Sequence, residues 1–288
     1  MKRVIAILPL LIVISALSVV AHAQGTVTPA WLSFVGSGAG GNYSCTSGTC
    51  QLDDERWFSS FNVSAGATLV ATSNNGPIII RATGTCTVNG TISNSVNTAN
   101  GGGVLNEGDF GGAGGGGGGG TLAGKGGELS VGPGGLPIVG SGPKGAANGG
   151  TGGNGQSTAT GQLHELLSGG TFWPIGGGNG GAGGGNGSGT GGGQGGNGGG
   201  AVILVCNTID FTGTIDVSGG AGSPAPAANT GGGGGGGGGY VILSAINFTA
   251  NTGTITVGGG AGGSCNSQSG CGPGGAGGNG WSYFQTIP

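Results

Sequence analysis

An all-β fold is what the sequence predicts: a short-strand, solenoid-like sheet with packed polyglycine-II helices, and little or no α-helix after a signal peptide. Three observations point there. Segments of strongly β-forming residues recur as similar units. Glycine occupies 84 of 288 positions, in tracts with a triplet rhythm. The six cysteines all follow the signal segment, and an even count in an oxidising compartment suggests disulfides and hence a defined fold.

The signal segment comes first. Lys2 and Arg3 precede an apolar run from Val4 to Val20, and Ala21-His22-Ala23 supplies a small-x-small cleavage pattern. The mature chain is expected to begin at Gln24. A retained anchor competes with this reading, but the run is short for a spanning helix and no cationic stop-transfer segment follows it. No later segment is apolar for long enough to span a bilayer. The expected location is therefore extracellular or at the cell surface, with no membrane contact after cleavage.

Lys2 and Arg3 leave with the signal and no acidic residue does, which takes the formal charge from −3 to −5. That balance excludes nucleic acid and anionic membrane as expected partners. The glycine content alone would suggest a flexible linker. Linkers, however, lack the strands and cysteines seen here.

Four parts follow in order: residues 1–23 as signal peptide, 24–100 as an N-terminal β region, 101–200 as a glycine-rich bundle with loop insertions, and 201–288 as C-terminal β units with glycine tracts. A short strand is expected at Ala67-Thr68-Leu69-Val70-Ala71. Three later stretches share one plan of strand, turn, strand and glycine. Ile78-Ile79-Ile80-Arg81 leads through Cys86-Thr87-Val88 to Gly90-Thr91-Ile92. Val202-Ile203-Leu204-Val205 leads through Ile209-Asp210-Phe211 to Gly213-Thr214-Ile215-Asp216-Val217. Val241-Ile242-Leu243 leads through Ile246-Asn247-Phe248 to Gly253-Thr254-Ile255-Thr256-Val257. In the closing strands Ile and Val alternate with Thr or Asp, as a half-buried strand requires. Units of this kind suggest coils stacked in parallel over one apolar stripe. An antiparallel sandwich is the competing architecture. The wide gap between the first two units marks an insertion.

The inserted region contains phrases such as Gly176-Gly177-Gly178-Asn179-Gly180-Gly181-Ala182 and Gly191-Gly192-Gly193-Gln194-Gly195-Gly196-Asn197. A three-residue rhythm fits the extended left-handed helix, and glycine alone lets such helices approach closely enough to share backbone hydrogen bonds. Ordering a residue costs about 1–2 kcal/mol, while a backbone hydrogen bond returns about 0.5–1.5. Such a bundle is therefore expected to be ordered only where strands and disulfides hold its ends. Leu122 to Ala147, with Pro133, Pro137 and Pro143, reads as a loop, and Gln162 to Gly169 could form one or two helical turns.

Among the cysteines, Cys45 with Cys50 and Cys265 with Cys271 are close enough in sequence for local bridges. That pairing leaves Cys86 for Cys206, and it is one of fifteen possible.

The unit from Gly200-Ala201-Val202-Ile203-Leu204 to Gly213-Thr214-Ile215-Asp216-Val217-Ser218-Gly219-Gly220, with its glycine tracts, resembles the glycine-rich secreted bacterial proteins that combine β-solenoid coils with polyglycine helices. The tracts are also similar to those of phage tail-fibre adhesins and of other polyglycine-helix proteins. The resemblance implies a packed polyglycine bundle. The functions attached to it range over receptor, cytokine and ice binding, so it implies fold more than function. The signal peptide departs from a phage adhesin, and the long tracts depart from short antifreeze repeats.

Chemistry-bearing residues are few. Asp53-Asp54-Glu55-Arg56 is the densest polar cluster. Clustered carboxylates can hold calcium, but the spacing of a calcium loop is missing, so a solvated cap on the first coil is the expectation and no metal is assigned. Glu107 and Asp109 read as a turn. The mature chain offers Arg56, Arg81, Lys125 and Lys144 as its basic side chains and His164 as its sole histidine. No nucleophile elbow or metal-binding His pair is present. The glycine phrases lack the strand, helix and lysine or acidic partner of a phosphate or dinucleotide loop, so no cofactor is expected. No catalytic residue is assigned and an enzyme is not expected. Phe172 and Trp173, beside Pro174, are the candidate binding residues, because aromatics anchor interfaces and stack on sugars. Packing against the bundle flank is the competing role. Trp281-Ser282-Tyr283-Phe284 is expected to cap the last coil.

The sequence thus predicts a secreted structural or adhesive surface protein, a glycine-lattice scaffold displaying binding loops. Its candidate partners are a cell-surface glycan or further copies of the chain in a fibre or matrix. An ice-binding protein using ranks of Thr, Asn and Ala on a flat bundle face is the first alternative. A β-solenoid carbohydrate-active enzyme is the second.

Overall fold

A computed structural model of the chain describes residues 37–52, 55–71, 78–95, 192–265 and 269–287. These residues form twelve strands and no helix. The first sheet runs in the order β1 (Asn42–Cys45), β4 (Ser60–Val63), β6 (Ile78–Val88), β8 (Ala201–Phe211), β10 (Tyr240–Asn251) and β12 (Trp281–Thr286). β3 (Glu55–Phe58) pairs with the first half of β6 and β4 with its second half. The second sheet contains β2 (Gly48–Leu52), β5 (Ala67–Ala71), β7 (Thr91–Ser93), β9 (Thr214–Asp216) and β11 (Thr254–Thr256), with β2 and β11 at its edges. Every pairing is parallel and neither sheet closes on itself. The antiparallel sandwich is thereby ruled out.

From β4 onward successive strands alternate between the two sheets, so each pass of the chain adds one strand to each; before that, β3 and β4 both join the first sheet. Parallel neighbours place equivalent residues side by side, and the sequence exploits this by repeating residue types. Cys50, Leu69, Ile92, Ile215 and Ile255 form one inward rank across the second sheet. Cys45, Val63, Val88 and Phe211 form a facing rank in the first. The aromatic rings of Tyr43 and Phe61 stack with centroids 5.5 Å apart. These side chains belong to a single apolar core between the sheets, in which Leu69, Val88, Ile92, Phe211 and Ile215 are fully buried.

The first sheet buries its other face as well, in its middle and last strands. Ala201, Ile203 and Val205 of β8 and Tyr240 and Ile242 of β10 make a second apolar cluster. Tyr240 there stacks on Trp281 at 5.2 Å. Trp281 to Phe284, expected as a cap, thus belong to the terminal strand of the sheet, paired residue for residue with β10.

The glycine tracts extend the stack in register. Gly193, Gly196 and Gly199 donate their amides to the carbonyls of Gly231, Gly234 and Gly237. Gly232, Gly235 and Gly238 donate in turn to Gly272, Gly275 and Gly278. These three tracts run parallel and lead straight into β8, β10 and β12. A second, oppositely directed layer leaves β9 and β11: Gly219 and Gly222 donate to Gly258 and Ala261. The layers are stitched together by Gly233 to Ser223, Gly236 to Gly220, Gly260 to Gly236 and Gly277 to Gly260. Donors recur at every third residue throughout. A Cβ on Gly236 would run into the carbonyl of Asn197, and one on Gly260 into that of Gly220. Side chains survive at the outward third position, as at Pro273 and Asn279, both exposed.

Three disulfides fasten this assembly: Cys45–Cys50, Cys86–Cys206 and Cys265–Cys271. They are the pairs that sequence spacing singles out. Cys86 and Cys206 are separated by 120 residues, yet β6 and β8 are direct neighbours. Their bond therefore locks the strand before the long insertion to the strand after it.

Candidate functional site

Phe172 and Trp173, the candidate binding residues from sequence, lie outside the described residues. So do Asp53, Asp54, Glu107, Asp109, Lys125, Lys144 and His164, as well as the signal segment and the expected helical turns.

From the Asp53–Arg56 cluster, Glu55 and Arg56 open β3 at one end of the first sheet. Glu55 pairs with Arg81 on the neighbouring β6, because parallel pairing sets Glu55 against Ile79 and brings Arg81 opposite Trp57. The Trp57 indole Nε1 donates to the same carboxylate at 3.0 Å. Partial burial would raise the Glu55 carboxyl, but the bonds from Trp57 and Arg81 outweigh it and hold that carboxyl below the ordinary carboxylate range. The Glu55 carboxylate is thus committed to its neighbours. Among the described residues no group of three or more His, Cys, Asp or Glu could hold a metal ion. Nearby, burial pushes the Tyr43 phenol up.

The most regular polar surface lies elsewhere, on the outer face of the second sheet. Thr49, Thr68, Thr91, Thr214 and Thr254 occupy equivalent positions on β2, β5, β7, β9 and β11 and form an unbroken rank. The next outward rank along the strands is Gln51, Val70, Ser93, Asp216 and Thr256. A third rank runs along the corner that precedes the sheet, where Asn89, Thr212 and Thr252 are exposed; Thr212 Oγ1 donates to Asn89 Oδ1 at 2.7 Å. Asp216 is the only charged group in these ranks, and its carboxylate accepts from the Ser218 amide at 3.0 Å and from the Ser218 hydroxyl at 2.5 Å. The thrice-repeated Gly-Thr-Ile phrase was the signal in the sequence. Its meaning needed the register.

The two ends of the first sheet carry the exposed large apolar side chains, Trp57 at 42% exposure on β3 and Phe284 at 41% on β12. No protein-family model matches the chain, and no curated protein or solved structure matches it either.

Proposed function

We propose that the chain is a secreted structural or adhesive surface protein, a β-solenoid whose coils continue outward as a polyglycine-II lattice. The observation that supports this reading is the common register of sheets and glycine tracts, with backbone donors recurring every third residue from Gly193 to Gly199 and from Gly232 to Gly238. A body stitched in this way, with few charged side chains among the described residues, suits a scaffold. Three disulfides fit an oxidising, extracellular setting.

Self-association is the partner this reading favours over a glycan. The first sheet ends on β1 and β3 at one side and on β12 at the other, and strand edges are templates for pairing with another chain. One end offers Trp57 and the other Phe284, so copies joined head to tail would extend the stack without closing it. Sedimentation velocity and electron microscopy of the mature protein at increasing concentration test this. Growing linear assemblies are expected, with Phe284→Lys shifting the protein to monomer. A protein that stays monomeric and does not fractionate with the cell envelope overturns the reading.

A further inference from the structure

We propose that the outer face of the second sheet is an ice-binding surface, with Thr49, Thr68, Thr91, Thr214 and Thr254 as its central rank. The proposal needs the two-sheet body and is independent of end-to-end assembly.

The first argument is spacing. In a parallel sheet neighbouring strands lie about 4.8 Å apart, and outward residues of one strand repeat at about 6.6 Å. The Thr rank and its neighbour, Gln51 to Thr256, therefore form a regular two-dimensional grid of side chains. Rows of oxygen atoms in hexagonal ice repeat on a comparable scale, so several threonines can meet the lattice at once. Five equivalent residues in one rank is the feature that sets this face apart, because a disordered or soluble ligand gains nothing from periodicity.

The second argument is chemistry. Each threonine presents one hydroxyl and one methyl. Among the described residues none of the five hydroxyls has a hydrogen-bond partner, so each is free to join ordered water, while the methyl favours the cage-like hydration that precedes freezing on an apolar surface. The ranks contain no lysine, arginine or glutamate, and the one carboxylate, Asp216, is occupied by Ser218. Charge would disrupt a water lattice, and confining it to this one hydrogen-bonded carboxylate leaves the Thr rank itself uncharged. No aromatic ring lies in the ranks to stack on a sugar. The outward positions of the glycine bundle are less suited: Ala221, Pro224, Ala261, Ser264, Pro273 and Asn279 are chemically mixed.

The third argument is rigidity. β-branched threonine has little χ1 freedom to lose. Beneath the rank, Leu69, Ile92 and Ile215 are fully buried, and the Cys45–Cys50 bridge fixes the strand at one end. The face is ordered before it meets its ligand, which limits the entropy cost of binding.

Ice-growth inhibition by the oxidised mature protein tests the proposal, read as thermal hysteresis and as suppression of recrystallisation at micromolar concentration. The expected result is faceted ice crystals with measurable hysteresis, falling at least tenfold in Thr91→Tyr/Thr214→Tyr. Tyrosine is a strong strand former, so the melting temperature should barely move. The isosteric Thr91→Val/Thr214→Val pair keeps the fold if tyrosine does not, and is expected to weaken hysteresis by removing the central hydroxyls. An inert wild-type protein, or full activity in both double variants, overturns the proposal. So does binding to insoluble polysaccharide that the same variants abolish while ice growth is unaffected.

Discussion

Gly236 and Gly258 stand in neighbouring glycine tracts and meet opposite surroundings. A Cβ at Gly236 would strike the Asn197 carbonyl, whereas one at Gly258 finds nothing within 4 Å. Gly236→Ala should therefore lower unfolding free energy by about 3 kcal/mol or more, the upper range of overpacking costs. Gly258→Ala should be neutral or stabilise by about 0.4–1 kcal/mol, since it only restricts the unfolded chain. Chemical denaturation of the two variants decides the matter: equal effects would mean that the tracts do not pack as described. At this scale much was readable in advance. Ala261, Ser264, Ala276 and Asn279 break the glycine at every third place, which is the mark of one outward and two inward positions per turn. The Glu55–Arg81 contact was not readable, because it depends on which strands become neighbours across a gap of 26 residues.

At the scale of elements, β8 and β10 announce themselves through the runs Ala201–Cys206 and Tyr240–Ala245, which are apolar at almost every position. Such runs signal burial on both faces, and the second cluster around Ile203 and Ile242 is the consequence. The alternation of β9 and β11, by contrast, points to a single buried face. β1 to β4 are not legible in the sequence because each is four or five residues long and half polar; they are strands because β5 gives β2 an edge, β6 gives one to β3 and β4, and β4 gives one to β1. The longest of the three covalent closures is the bridge between β6 and β8. Its closed loop of 120 residues is worth about 5 kcal/mol in the chain-entropy account, against about 2 for the short Cys265–Cys271 loop. Cys86→Ser/Cys206→Ser should accordingly cost more than twice as much stability as Cys265→Ser/Cys271→Ser, measured by urea unfolding. Equal losses would mean that the long insertion contributes no closure entropy.

Over the whole molecule the question is whether a glycine lattice can hold itself in place. Residues 231–239 take part in twelve backbone hydrogen bonds to other segments, six as donors and six as acceptors. At about 1 kcal/mol each, these return about what it costs to order nine residues at about 1–2 kcal/mol apiece. Each bond must also help to order a partner tract, so the lattice alone falls short. The deficit is met where the tracts join the sheets: Gly239 donates to Val217 and Gly280 to Val257, the residues that directly follow β9 and β11. Both valines lie against the main core. Lattice and core should therefore unfold together. In amide exchange, Gly233, Gly236 and Gly239 are expected to show the same protection as Val241 and Leu243 of β10, and to lose it at the same denaturant concentration. Exchange at free-peptide rates with β10 still protected would mean that the lattice is not coupled to the sheets, and the continuity of register from strand to glycine would then carry no stability.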